Sequence, residues 1–177
     1  MGREVCYCCA PALYLMIQFH PTVKISSLAD IEDSTRNTRI VVGANSTIDS
    51  FVKIKPAGGS GDLIIGEFVT INSGCVFYTG NGIFIGNHVA IAANCTIAPV
   101  NHAFQDKDKL IIHQGFLPSK GGIRIEDDVW IGANSILLDG AFLRKGCVIG
   151  AGSIVRGELE AYGVYAGNPL KKVKTRT

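Results

Sequence analysis

Charge of either sign is scarce in this chain of 177 residues: 17 Lys and Arg stand against 15 Asp and Glu, a net +2, and charged residues make up only 18% of the sequence, where about 25% is usual. So small a cationic excess cannot build the dense basic face that neutralising a phosphate backbone demands, which excludes nucleic acid as a partner. A membrane-spanning run is missing too. The longest apolar stretch, Val5 to Phe19, is interrupted by Pro11 and Gln18 and falls short of the roughly 20 residues a bilayer requires. Arg3 is offset by Glu4 and no small-residue cleavage pattern follows, so no secretory signal is expected and a cytoplasmic protein is. In that compartment the six cysteines are expected to be thiols rather than a disulfide framework. Cys6, Cys8 and Cys9 look like half a zinc site, but no second Cys or His pair at metal spacing follows, and no metal is expected. The length suits one domain and excludes a multidomain machine.

Glycine, by contrast, is plentiful, with 21 residues, about 12% against a usual 7% or so, and this marks a chain that turns often. From Ile125 every sixth residue is aliphatic: Ile125, Ile131, Leu137, Leu143, Ile149 and Val155. A period of six fits neither a helix at 3.6 nor a plain strand at 2. Allowing insertions, the phase continues backward as Ile85, Ile91, Ile97, then Ile65, Ile71, Phe77, then Val42, Ile48, Ile54, and finally Phe19, Ile25, Ile31. Within each triplet the spacing is six, whereas between triplets it is 11, 11, 8, 28 and 6. Insertions therefore fall at one corner in three. That is the pattern of a three-sided coil of 18 residues, with short strands on its faces and loops at one exposed edge. Six such coils, about 4.8 Å apart, make a prism roughly 29 Å long. The organisation expected is an N-terminal segment 1–18, an all-β solenoid domain 19–160 with an inserted loop 98–122, and a C-terminal tail 161–177.

The position four after each repeat residue also has to point inward at a tight corner and is small or β-branched, as at Ser46, Val52, Val69, Cys75, Val89, Cys95, Val129, Ser135, Ala141, Cys147 and Ser153. Three cysteines are thereby assigned to the core as small hydrophobes rather than reactive thiols. Gly43, Gly66, Gly86, Gly132 and Gly150 each follow a repeat residue, where they are expected to supply backbone freedom for turning. The same corner phase explains Gly80, Gly82 and Gly86 better than a dinucleotide fingerprint does, since the last gap is one residue too long and no helix follows.

The [LIV]-G-x-x-[small]-x pattern, the segment Asp128-Val129-Trp130-Ile131-Gly132-Ala133-Asn134, the turn Gly150-Ala151-Gly152-Ser153 and the terminal Gly167-Asn168-Pro169-Leu170-Lys171 together resemble the hexapeptide-repeat acyltransferases. The similarity covers roughly Phe19 to Lys174 and is greatest to the sugar O-acetyltransferases, including the maltose and galactoside enzymes and those that decorate surface polysaccharides. The resemblance implies a left-handed parallel β-helix of about six triangular coils, an exception to the right-handed crossover rule. It also implies a homotrimer with active sites between subunits, and acetyl transfer from acetyl-CoA to a hydroxyl of a sugar or surface-polysaccharide precursor.

The candidate catalytic residue is His102, at the mouth of the long insertion, where Asn101-His102-Ala103-Phe104 stands at the place of the general base in the resembling enzymes. A hydroxyl cannot attack a thioester at neutral pH unless its proton is removed during attack, and an imidazole, with an ordinary pKa of about 6.5, is suited to accept it. Of the other three histidines, His20 lies in the first coil, His88 in a regular turn and His113 within the loop. Direct transfer in a ternary complex is expected, without Cys or Ser as an acyl carrier. The resemblance assigns Asn72 to the acceptor hydroxyl; the other reading of it is a corner Asn bonded to its own backbone. Where those enzymes place an acceptor-binding Asp shortly downstream, this chain has Gly80.

For the donor, the resemblance points to the backbone around Ala133 and Ala151, to Trp130 as a wall for the pantetheine arm, and to Arg156, Lys171 and Lys174 as cations near the CoA phosphates. Because loops beyond about 12 to 15 residues are usually functional or disordered, 98–122 is read as an active-site arm that reaches toward a neighbouring subunit, anchored by Phe104 and Phe116. Asp106, Asp108 or a backbone carbonyl are the alternatives for orienting His102. Three competing functions are carried forward: N-acetylation of a nucleotide-linked amino sugar, a carbonic-anhydrase-like metalloenzyme, and a non-catalytic solenoid. The metalloenzyme needs three converging histidines, whereas the closest pairs here are 11 and 14 residues apart.

Overall fold

The computed structural model describes residues 16–177, so the Cys6, Cys8 and Cys9 cluster lies outside the described residues. Short strands fall on three faces in strict rotation. Face A carries Ile17–Phe19, Ile40–Val42, Leu63–Ile65, Ile83–Ile85, Ile123–Ile125, Phe142–Leu143 and Glu158–Leu159. Face B carries Lys24–Ile25, Thr47–Ile48, Thr70–Ile71, Ala90–Ile91, Trp130–Ile131, Val148–Ile149 and Gly163–Ala166. Face C carries Asp30–Ile31, Lys53–Lys55, Val76–Tyr78, Thr96–Ala98, Ile136–Leu138 and Ile154–Val155. Each strand pairs in parallel with the strand one coil away on its own face, so the molecule is a three-sided parallel β-helix. Every extra residue of the irregular spacings falls between face C and the next face A.

The period-six positions stack directly on one another. Ile85 is level with Ile65 and Ile125, and Ile91 with Ile71 and Ile131. From Val42 to Val155 all fifteen are buried. In the first coil Phe19 and Ile25 keep the inward phase, pairing with Val42 and Ile48, yet each stays 37% exposed because only one side of that coil meets another among the described residues. The corner positions named above, from Ser46 to Ser153, are all buried, whereas Val23 and Ala29 of the first coil are half-buried. Where they are polar, they bond the backbone carbonyls of the corners: Ser46 Oγ donates to Gly66 O at 3.0 Å, Ser153 Oγ to Gly150 O at 2.6 Å, and Cys95 Sγ to Gly132 O at 3.3 Å. A small side chain with one donor is what such a corner accepts. The neighbouring Cys95, together with burial, pushes the Cys75 thiol far above its ordinary range, which keeps it a neutral core residue.

The glycines after the repeat residues have a different cause from the one expected. Gly43, Gly66, Gly86, Gly132 and Gly150 do not turn with positive φ; a Cβ on them would run into the next coil, 2.6 Å from the Gly66 backbone at position 43 and 2.5 Å from Ala151 N at position 132. The left-handed backbone sits three residues after a repeat position, on Asn45, Phe51, Phe68, His88, Asn94, Asp128 and Asn134, with φ from 56° to 61°. Asn and Asp adopt it with little strain, whereas a bulky Phe does so at a cost of about 1–2 kcal/mol.

Beyond residue 160 the prism continues. Leu159 and Tyr165 are again six apart and buried, the phase having been shortened by two residues at the third corner, which hides it from a fixed count. Gly163–Ala166 extends face B, and Lys171–Thr175 folds back antiparallel on it, covering an edge that would otherwise invite pairing. Arg176 fastens this strand, donating to Asp128 Oδ2 at 2.9 Å and to Gly146 O at 2.9 Å.

Candidate active site

The insertion leaves face C at Ala98 and returns at Ile123. It is an ordered arm. Its stem is antiparallel: Ala103 N donates to Gly115 O at 3.0 Å and Leu117 N to Asn101 O at 2.8 Å, so that His102 lies opposite Phe116. Gln114 ties the tip, its amide donating to the carbonyls of Asp106 and Lys109 at 2.8 and 2.9 Å. The root is closed by Asp139, a buried carboxylate that accepts from Lys120 N at 2.8 Å, Gly122 N at 3.0 Å and Asn81 Nδ2 at 3.2 Å. Phe104 and Phe116 are both exposed, and so is the apolar tip at Leu110, Ile111 and Ile112.

The His102 ring packs on Phe116, centroids 4.6 Å apart. Neither aspartate of the loop bonds it: Asp106 Oδ1 accepts from Asp108 N at 3.0 Å and Asp106 pairs with Lys109 at 3.4 Å, so the Asp106 carboxylate serves the tip. His102 opens onto a cleft of about 310 Å³ whose other walls are Ala57, Gly58, Tyr78, Ala98, Val100 and Phe116. On the opposite side of the stem lies a larger cleft of about 610 Å³, lined among others by Asn101, Phe104, Leu117, Lys120, Leu138 and Arg156. Lys120 and Arg156 form no ion pair among the described residues.

The remaining site candidates stand elsewhere. Asn72 is a corner residue between faces B and C whose Nδ2 donates to Ile91 O at 2.8 Å, bonding the next coil rather than its own backbone. Ala133 and Ala151 occupy the same edge, with Gly152 N donating to Ala133 O at 2.8 Å. Lys171 and Lys174 pair with Ala166 and Val164 on face B, both exposed. Trp130 projects from face B between Ala90 and Val148, 54% exposed. From this edge to Ala98 on face C is six residues of chain, about 20 Å at strand rise, and His102 lies beyond that. Along one chain His102 is thereby set apart from Asn72, Trp130, Ala133 and Ala151. A further cleft, lined by Ile154, Arg156, Asn168, Pro169 and Leu170, brings the C-terminal segment to Arg156 alone.

Tyr78, Lys120 and Asp139 were not singled out by sequence reasoning. Asp139-Gly140 carries a turn signal, but nothing local shows that its carboxylate holds residues 120 and 122.

Three stacked sheets with inserted loops at one corner define a class, the left-handed parallel β-helix. Residues 122–156 match the family model "Hexapeptide repeat of succinyl-transferase". An N-acyltransferase mutant from Bacillus cereus, in complex with dTDP-4-amino-4,6-dideoxyglucose and coenzyme A, superposes with a TM-score of 0.75 at 25% identity, over 92% of this chain and 84% of that one. Among curated proteins, a probable acetyltransferase of Mycobacterium tuberculosis is 35% identical over 116 residues, 66% of this chain and 38% of the relative. A probable macrolide acetyltransferase of Lysinibacillus sphaericus is 37% identical over 114 residues, 64% of this chain and 60% of the relative. The chain thus spans between about two fifths and three fifths of these curated relatives' lengths. It carries the hexapeptide repeat and is similar to acetyltransferases. Among the described residues no helix is long and apolar enough to cross a membrane, and no three His, Cys, Asp or Glu side chains converge as a metal group.

Proposed function

We propose that this protein is an acetyltransferase that moves an acetyl group from acetyl-CoA directly to an acceptor hydroxyl, on a sugar or surface-polysaccharide precursor as the resemblance implies, and that it works as a cytoplasmic homotrimer. The observation that carries this reading is the division of the candidate residues between two edges of one prism. A second copy, set with its B–C edge against the first copy's arm, brings Trp130, Ala133, Ala151, Lys171 and Lys174 to face His102, and Asn72 follows on the same edge. Small residues at 133 and 151 let a pantetheine chain approach the backbone, with Trp130 as its wall. Arg156 and Lys120 give the cationic cleft beside the stem its affinity for phosphate.

In the transfer His102 accepts the acceptor hydroxyl proton as the oxygen attacks the thioester carbonyl carbon. The tetrahedral intermediate then collapses, the C–S bond breaks, and the proton passes to the departing sulfur as CoA thiol. A positioned base of this kind contributes typically about 10² to 10⁴-fold, the rest coming from orientation and oxyanion stabilisation. The test follows free thiol released from acetyl-CoA across a panel of acceptors. His102→Ala is expected to lower turnover at least about 10²-fold with unchanged folding, and wild-type turnover in that variant would remove the base assignment. A second reading, transfer to the amine of a nucleotide-linked amino sugar, is favoured by the likeness to the Bacillus cereus N-acyltransferase. Acetylation confined to amines in the same panel would select it.

A further inference from the structure

The wall that this chain offers at His102 is apolar. Ala57, Gly58, Tyr78, Ala98, Val100 and Phe116 line the cleft with the imidazole, and the polar side-chain atoms among them belong to Tyr78 and His102 alone. The recess has a local cause. On the outward side of face C, Lys55, Tyr78, Ala98 and Leu138 stand in one row along the prism, and Ala98, the smallest of the four, leaves room beside Tyr78. Over that recess the arm lays His102 and Phe116, their rings in tilted contact. At about 310 Å³ the space suits one ring system. A hexose seated there would take several hydroxyls from water while this wall offers it two polar side chains, leaving Asn72 of a second copy as the polar partner across the cleft, and each hydroxyl left without a partner costs affinity. An alcohol on an aliphatic or aromatic frame has no such penalty.

We propose that the acceptor presents its reacting hydroxyl on an apolar frame seated between Tyr78, Ala98 and Phe116, with the Tyr78 phenol as the positioning contact for that hydroxyl beside His102. This rests on the acetyl-transfer reading and replaces its fully hydroxylated sugar by an amphiphilic alcohol or a heavily deoxygenated ring. Atoms balance as in the transfer above, since only the acceptor frame differs.

The experiment titrates the full chain, without donor, with 2-(2-naphthyl)ethanol and with methyl glucoside in a calorimeter, then measures acetyl transfer to each. The naphthyl alcohol is expected to bind at least about 10-fold more tightly. Ala98→Leu, an outward substitution that fills the recess without touching the core, is expected to remove that difference. Tyr78→Phe is expected to raise the KM for the alcohol about 2- to 10-fold while the KM for acetyl-CoA stays unchanged. Equal or tighter binding of the glucoside overturns the proposal, as does undiminished alcohol binding in Ala98→Leu. A fluorescence titration of Trp130 with CoA keeps the two readings separate: a silent donor titration with no thiol release refutes acetyl transfer, whereas a normal one with glucoside preferred refutes only the apolar acceptor.

Discussion

A methyl group on residue 66 would sit 2.7 Å from the carbonyl oxygen of Gly86 and 2.5 Å from Asn87 Oδ1, so the strands there are closer than any side chain allows. Gly66→Ala is accordingly expected to lower unfolding free energy by about 1–3 kcal/mol, read from a shift in denaturation midpoint. Gly152 differs: it has φ +69° and open space around it, at the corner position that Asn94 and Asn134 fill in other coils. Gly152→Asn should change stability by no more than about 0.5 kcal/mol. The inward residues were legible as a period because burial repeats with the chain. The reason for each glycine was not, because it lies in a coil some twenty residues away. Trp130 was legible as an outlier, out of phase with Ile125 and Ile131, and as the sole Trp it reports one place only. CoA is expected to change its emission, and Trp130→Ala to raise the KM for acetyl-CoA more than it lowers kcat, as loss of uniform binding does. An unchanged KM and emission would leave the indole as packing between subunits.

At the scale of elements the arm matters most. Sequence length alone marked its limits, since the corner lengths elsewhere are regular. Its interior could not be read, because the Gln114 and Asp139 bonds that order it follow no period. Asp139→Ala leaves two backbone N–H groups at the root without their acceptor, and a loss of about 1–3 kcal/mol is expected in thermal or denaturant unfolding. Amide exchange at residues 120 and 122 should quicken in the same variant. Transfer should fall through kcat rather than through the KM for acetyl-CoA, since His102 rides on the stem that this root supports. The short last coil shows the converse: a corner two residues shorter broke a fixed count and made structured residues read as a tail.

For the whole molecule, the proposed pairing of His102 with the Asn72 edge, on separate margins of face C, would draw on a second copy. A trimer is expected in sedimentation velocity at assay concentrations, and full turnover by a dilute monomer would contradict the shared site. The ladder of coils has another outcome. Because each coil touches only those above and below it, cohesion is passed along the prism like tension along a stacked spring, and the first described coil, with Phe19 and Ile25 each 37% exposed, has one neighbour fewer among the described residues. Fraying should therefore start there and travel inward, coil by coil, so that amide protons at 24 and 25 exchange well before those at 91 and 131. Such a molecule melts as a zipper opens from its loose end, and the arm, set in the middle coils, is among the last parts to feel it.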